Sequence, residues 1–284
     1  MSVSTSQPST PKKKKRKKAT PWQKRKAWIR FRGKEIRNYF FNIVRPLPKD
    51  QIRVVIFAQG RSGSTLLENL ISSTKYFEQR GELLGPFHKT RFHQGEAMFP
   101  VHYMNGLAKQ TPDENFIFHI KVTHLTDERK RPLDPGKVLQ RFQQYGWKCV
   151  FLTRKNRVKH ALSNLVLNAR GSAHKFNNKE EKHRILVDCD NFVERVNKKI
   201  YFDALERQGL ENVSHLELAY EDDLEQADAH QKTIDTILEY LGLESRKAKA
   251  KYKKVNRQSM EDLIINYDEF RECVVNNGWE HFLD

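Results

Sequence analysis

Residues 52–73 read IRVVIFAQGRSGSTLLENLISS and join a short apolar run, a loop of Gly, Ser and Arg, and a helical segment. The run at 52–58 is nearly continuous and rich in β-branched residues, which is typical of a buried parallel strand. A glycine-rich loop that leads from a strand into a helix indicates an anion site. There the free backbone N–H groups and the positive end of the helix dipole favour negative charge.

Strand-like and helical segments alternate through the rest of the chain. We predict further strands at 116–125, 147–153 and 213–220, and helices at 65–73, 136–146, 157–169, 190–208, 231–243 and over most of 260–277. Strands separated by helices favour an α/β fold of three layers with a central parallel sheet. The segment quoted above would be its P-loop-like strand, loop and helix, and a basic N-terminal arm would precede the fold.

The positive charge is concentrated at the N-terminus. The chain carries a net charge of +17, and residues 1–50 hold 16 Lys and Arg against Glu35 and Asp50, a surplus of 14. The other residues are left with about +3, which is ordinary for a globular domain. We therefore predict three parts, which are a disordered polybasic tail (1–20), a basic amphipathic helix with its linker (21–50) and a folded domain (51–284).

The predicted helix in the arm has an apolar stripe, made by Trp22, Ile29, Ile36, Phe40 and Ile43. We expect this stripe to dock the helix on the domain. Two other uses of the basic region 12–37 stay open, namely attachment to an anionic membrane surface and binding of nucleic acid. The run PKKKKRK also resembles a nuclear import signal.

Cysteine usage and hydropathy favour a cytoplasmic protein, with a peripheral position at a membrane surface left open. Cys149, Cys189 and Cys273 form no CxxC pair, so neither a disulfide framework nor a zinc ribbon is indicated. No apolar run is long enough to cross a bilayer. The histidine spacings fit no metal site, and we predict no metal.

The side chains of the loop suit a phosphate-like anion. Gly60 and Gly63 permit a close backbone approach, Arg61 adds a positive fork, and hydroxyl groups come from Ser62, Ser64 and Thr65. A nucleoside triphosphatase would have Lys at the position of Ser64 and an acidic Mg²⁺ ligand at a later strand end, where this chain has Arg154. A P-loop kinase or triphosphatase remains an alternative, as does a non-enzymatic protein that binds nucleic acid or membrane through its arm.

Several motifs resemble those of sulfotransferases that use 3′-phosphoadenosine-5′-phosphosulfate (PAPS). GRSGSTLLENLI resembles their 5′-phosphosulfate loop, and VFLTRKNRVKHALSN resembles their 3′-phosphate motif. The match is closest to the carbohydrate-type branch that includes trehalose and nodulation-factor sulfotransferases. Supporting segments between residues 52 and 271 include RGELLG, HIKVTHL and LAYEDDL.

The resemblance implies a PAPS-binding role for each matching position. The 5′-phosphosulfate would be held by the loop residues Arg61, Ser62, Gly63, Ser64 and Thr65. The 3′-phosphate would be held by Arg154 at a strand end and by Ser163 on the following helix. Arg61 would also stabilise charge on the leaving phosphate, and Lys254 and Arg257 would lie on a basic loop that closes over the nucleotide.

The resemblance further implies a base for the acceptor, a hydroxyl-bearing compound and in this branch a carbohydrate. Glu82 in RGELLG takes that role, because a carboxylate beside a sugar hydroxyl can accept its proton as the S–O bond forms. Glu78 is its nearest rival and His124 a lesser candidate, while Lys121 is placed near the sulfate. The expected function is transfer of a sulfuryl group from PAPS to such a hydroxyl.

Overall fold

The computed structural model describes residues 20–85, 96–170, 184–249 and 259–283. Its centre is a parallel sheet of five strands in the order β2-β3-β1-β4-β5. In chain order the strands are β1 (Arg53–Ala58), β2 (Phe77–Glu82), β3 (Asn115–Ile120), β4 (Trp147–Thr153) and β5 (His215–Ala219). The predicted α/β class with a central parallel sheet is therefore confirmed.

Helices connect the strands and extend the fold at both ends. They are α1 (Pro21–Val44), α2 (Ser64–Ser73), α3 (Pro100–Ala108), α4 (Pro135–Gln144), α5 (Arg157–Arg170), α6 (Cys189–Leu210), α7 (Tyr220–Asp223), α8 (Ala229–Leu241), α9 (Met260–Leu263) and α10 (Tyr267–Asn276). Two 3₁₀ turns cover Val122–His124 and Glu280–Phe282.

Both faces of the sheet are covered, because the side chains of each strand alternate between two cores. On β1, Val55 and Phe57 join a core with α3, α4 and the end of α6, whereas Val54 and Ile56 join a core with α2 and α8. A third cluster packs α5, α6 and α10 together. The result is an arrangement of helix, sheet and helix layers.

The order of the strands reverses between β1 and β4. From β1 the chain runs through α2 to β2 at one edge of the sheet, and from β4 it runs through α5 and α6 to β5 at the other edge. Such a reversal opens a crevice at the carboxyl ends of the two strands. The loop at 59–63 and the segment at 154–156 both border this crevice.

Some elements differ from the sequence-based predictions. The strand expected at 116–125 ends at Ile120, because the chain turns into the 3₁₀ turn at Val122–His124. Strand β2 and helix α3 were not predicted. Glu82 consequently lies at the end of an edge strand rather than in a loop.

The predicted docking of the N-terminal helix by its apolar stripe is wrong. Helix α1 does pack against α3, but through Phe31, Glu35 and Asn38, which are buried. Trp22, Ile29, Ile36, Phe40 and Ile43 all remain exposed. Hydrogen bonds explain the choice of face, because polar groups of α1 find partners there, such as Asn38 Oδ1 with Gln110 Nε2 at 2.6 Å.

Candidate functional site

The loop between β1 and α2 has a strained backbone that exposes the start of the helix. Arg61 and Gly63 have φ angles of 73° and 98°, in the left-handed region, and Gly63 is the N-cap of α2. Glycine has no side chain to cap the first-turn N–H groups, which therefore border the crevice uncapped. The hydroxyl of Ser62 donates to the carbonyl oxygen of Gln59 at 2.7 Å, so this buried side chain shapes the loop from within.

Ser64 and Thr65 begin the helix on the crevice side of the loop. Gly63 is also required for packing, since a Cβ atom at this position would lie 2.7 Å from the ring of Tyr220. Gly60 is similarly crowded, with Lys121 Cε 3.3 Å from the place of its absent Cβ. The loop thus combines free N–H groups with neighbouring cationic and aromatic side chains.

The residues predicted to bind the two phosphates of the donor meet at this loop. Arg61 Nε donates to Ser163 Oγ at 2.9 Å, and Arg154 Nη1 donates to the carbonyl oxygen of Arg61 at 3.1 Å. The guanidinium of Arg154 lies 4.7 Å over the ring of Tyr220. Residues 61, 154 and 163 come from β1–α2, β4–α5 and α5, so the fold brings distant parts of the chain together.

The charges of this cluster are only partly balanced. Arg154 Nε lies 3.5 Å from Glu221 Oε1, which is an ion pair without a hydrogen bond. This buried Nε has no hydrogen-bond partner among the described residues. Arg61 has no carboxylate within ion-pair distance in the described part of the chain. Burial and the neighbouring charge of Arg154 lower the pKa of Arg61. Two adjacent guanidinium groups with one carboxylate leave room for an anion.

A second set of residues, not predicted from the sequence, supports the loop from behind. The carbonyl oxygen of Gly60 accepts from Lys199 Nζ at 3.0 Å and lies 2.9 Å from His160 Nε2. Gln59 Nε2 donates to the carbonyl oxygen of Lys199 at 3.1 Å and to Glu206 Oε2 at 3.2 Å. These contacts hold the backbone of the loop at 59–63 to α5 and α6.

Burial changes the ionisation of this second set. It lowers the pKa of Lys199 to about 7, with further lowering by the charges of Arg154 and Lys121, and it lowers the pKa of His160. Burial raises the pKa of Glu206 to about 8. A helical pattern could have revealed Lys199 and Glu206, because both fall on the same face of α6 as buried Phe192 and Val196.

Glu82 lies in a cluster on the other side of Lys121. Its carboxylate is 2.7 Å from Lys121 Nζ, 3.4 Å from His119 Nε2 and 3.5 Å from His124 Nε2. His119 is held in turn by the fully buried Glu68, whose Oε2 lies 2.6 Å from His119 Nδ1. The 3₁₀ turn after β3 brings His124 back towards this cluster.

The cluster keeps Glu82 ionised. Burial would raise the pKa of Glu82, but hydrogen bonds from His119 and His124 and the charge of Lys121 outweigh it and hold this pKa well below the usual range. Burial lowers the pKa of His124 despite the nearby Glu82. Burial would also lower the pKa of His119, but hydrogen bonds and the charges of Glu68 and Glu82 outweigh it and raise this pKa. The cluster therefore contains an ionised carboxylate beside two imidazoles whose pKa values shift in opposite directions.

A cleft of about 180 Å³ lies beside the loop. Its lining includes Gly60, Lys121, Glu128, Asn164 and Lys199. Lys121 thus borders the loop at 59–63, the cleft and Glu82 together. The geometry allows an anion at the loop and a polar compound in the cleft to lie side by side.

The remaining predicted residues have different positions. Glu78 is exposed near the amino end of β2, about 10 Å along the sheet from Glu82 and away from the crevice, because the two residues pair with Phe116 and His119 of β3. Lys254 and Arg257 lie outside the described residues. In the ranges that the structure describes, no three His, Cys, Asp or Glu side chains are grouped as metal ligands, and no helix is long and apolar enough to cross a bilayer.

A scan against protein-family models and a search of curated proteins found no match to this chain.

Proposed function

We propose that the chain is a PAPS-dependent sulfotransferase that acts on a hydroxyl group of a carbohydrate or similar acceptor. In this proposal the segment from β1 to α2 is a sulfotransferase-like phosphate loop. The observation that carries the proposal is the meeting of Arg61, Arg154 and Ser163 at an uncapped helix start where the strand order reverses.

The donor residues fit a nucleotide with phosphates at two positions. Arg61 and the first-turn N–H groups of α2 would hold the 5′-phosphosulfate, and Arg154 and Ser163 the 3′-phosphate. The hydrogen bond between Arg61 Nε and Ser163 Oγ would break when the two phosphate groups of the nucleotide bind. When bound, PAPS supplies the sulfuryl group.

The acceptor residues lie across Lys121 from the loop. Glu82 would orient the acceptor hydroxyl and receive its proton. Hydrogen bonds with His119 and His124, together with the ion pair with Lys121, make Glu82 a weak base, but Lys121 also adjoins Gly60. A shift of the Lys121 ammonium towards the loop would raise the pKa of Glu82 and place positive charge where the sulfuryl group is transferred.

Thermal stability with and without nucleotide tests the donor site. Because a ligand that binds only the native state stabilises it, 3′,5′-ADP should raise the melting temperature more than ADP or ATP does. Arg154→Ala should remove this preference. Lys155→Ala, a change of the next cation along the chain that pairs with Asp222, should retain it. Indifference to 3′,5′-ADP, or a response only to ATP with Mg²⁺, would refute the proposal and favour a nucleotide kinase or triphosphatase.

Transfer of labelled sulfate from PAPS to a panel of glycans tests the reaction itself. Glu82→Gln keeps the size of the side chain but removes its basicity, so kcat should fall by about 100-fold while 3′,5′-ADP still stabilises the variant. A variant with unchanged kcat would exclude Glu82 as the base.

A further inference from the structure

Helix α1 is fixed to the domain by one face only. Phe31 lies in the core with its ring 6.1 Å from that of Tyr103, and Glu35 Oε1 accepts from the backbone N–H of Met98 at 2.7 Å. Gly106 of α3 allows a very close approach, because a Cβ atom there would overlap the carbonyl oxygen of Asn38. These contacts determine which face of α1 points away from the protein.

The opposite face carries a row of large apolar side chains in solvent. At 100° per residue, this row is centred about 180° from Phe31. Its members are Trp22, Ile29, Ile36, Phe40, Ile43 and Val44, each of them exposed, with Ile36 at 66% and Ile43 at 80%. We call this row the apolar stripe of α1. A row of this length on the outside of a fold marks an interaction surface.

Basic residues border the apolar stripe on both sides. Arg25 and Arg32 lie along one flank, and Lys26, Arg30 and Arg37 along the other. Directly before the helix, Lys12–Lys18 add seven consecutive positive charges. An apolar centre with basic flanks matches the interface of an anionic bilayer, where apolar side chains enter the acyl region and Lys and Arg reach the headgroups.

Other occupants fit this surface less well. The phosphates of a nucleic acid would pair with the basic residues. They offer no apolar surface that could cover Ile36 or Phe40. A second copy of the chain would bring two arms with a surplus of 14 positive charges each into contact. Helix α1 is not apolar over enough of its length to cross a bilayer, because it carries seven Lys and Arg and its longest stretch without a charged residue, 38–44, has only seven residues.

We propose that α1 lies in the plane of an anionic membrane surface, with the apolar stripe inserted, and anchors the domain there. Flotation of the full-length chain with vesicles tests this. Binding is expected to an equimolar mixture of phosphatidylcholine and phosphatidylglycerol, and not to phosphatidylcholine alone. Ile36→Ser with Phe40→Ser should weaken binding to the anionic vesicles by about tenfold or more.

A matched control separates the stripe from general loss of exposed apolar surface. Ile200→Ser with Tyr201→Ser changes two exposed apolar residues on α6 and should bind vesicles as the unchanged chain does. Emission from Trp22 should shift to the blue on binding of the unchanged chain, as expected for an indole that enters the acyl region. Circular dichroism of each variant checks that it is folded.

Three outcomes would overturn the proposal. Equal vesicle binding by the Ile36 and Phe40 variant would assign membrane attraction to charge alone. Sedimentation without lipid that shows a dimer, lost in this variant, would assign the stripe to a second copy. Binding to a duplex oligonucleotide that is weakened by the same variant would assign it to nucleic acid.

Discussion

Gly63 is the residue on which the geometry of the loop depends most directly. Its left-handed backbone and its contact with Tyr220 both exclude a side chain, and Tyr220 in turn supports the guanidinium of Arg154. We expect Gly63→Ala to lower the free energy of unfolding by about 2–4 kcal/mol, because backbone strain adds to a steric overlap. Urea denaturation measures this loss.

Gly242→Ala is the matched control for this prediction. Gly242 has a φ of 74° at the end of α8 but has open space around it, so only the strain of about 1 kcal/mol is expected. Equal losses in the two variants would show that the overlap with Tyr220 has no cost.

Glu206 gives the fold a pH dependence that can be isolated. Its pKa is raised from 4.5 to about 8 by burial, so the folded state favours the protonated acid. Since the folded pKa lies above the unfolded one, this group stabilises the fold below pH 4.5, and the contribution is lost as the pH rises towards 8. Lys199 acts in the opposite direction, because its lowered pKa makes stability fall as the pH drops from 10.5 towards 7.

Glu206→Gln should therefore remove the loss that occurs between pH 5 and pH 8. The free energy of unfolding of the variant, measured in urea at both pH values, should decline less than that of the unchanged chain, by about 1 kcal/mol or more. If the free energy of unfolding fell by the same amount in both proteins between pH 5 and pH 8, Glu206 would be ionised in the folded protein over this range.

The attachment of α1 to α3 depends on a missing side chain. Gly106 lies under the carbonyl oxygen of Asn38, and a Cβ atom there would require the two helices to separate. Gly106→Ala should cost about 2–4 kcal/mol of unfolding free energy. Gly33→Ala, in an open position of α1, should instead stabilise by about 0.5–1 kcal/mol through helix propensity. Thermal unfolding of the two variants tests this prediction. Similar melting temperatures would contradict the close approach of Gly106 to Asn38.

The strands that could be predicted from the sequence are those that a local run of apolar residues identifies. Strands β1 and β4 are continuous apolar runs, and their predicted ends agree with the structure within one residue. Strand β2, FEQRGE, lies at the edge of the sheet with only Phe77 fully buried, so it has no apolar run to reveal it. The periodicity of α1 identified an apolar stripe but could not show that polar partners on α3 would bury the other face.

The candidate-site residues that could be predicted from the sequence are those that belong to a local sequence motif. Arg61, Arg154 and Ser163 were chosen from motifs around two strand ends, and the sheet brings them together. The pairing of Glu82 with Lys121 and two histidines depends on the register between β2 and β3, which no local pattern contains. Lys199 was missed because a lysine in a basic chain is expected at the surface.

In the whole molecule, the excess of positive charge ends near residue 50, whereas the packed structure already begins with α1. Nearly all of the surplus charge lies before residue 51, yet α1 within that region contributes Phe31 to the core and a hydrogen bond between Asn42 and His102 of α3. The folded unit therefore includes α1, whose cap residue is Thr20, with Gln23 N–H donating to its hydroxyl at 3.2 Å.

Two deletions distinguish the charged run from the helix. A chain that begins at Thr20 loses seven positive charges but keeps α1 and its cap, so its melting temperature and its response to 3′,5′-ADP should match those of the full chain. A chain that begins at Pro46 loses Phe31 and the partners of α3, and its melting temperature should fall by about 10 °C or more. If the two deletions had the same melting temperature, α1 would be an appendage, and its exposed stripe would have no fixed orientation relative to the crevice between β1 and β4.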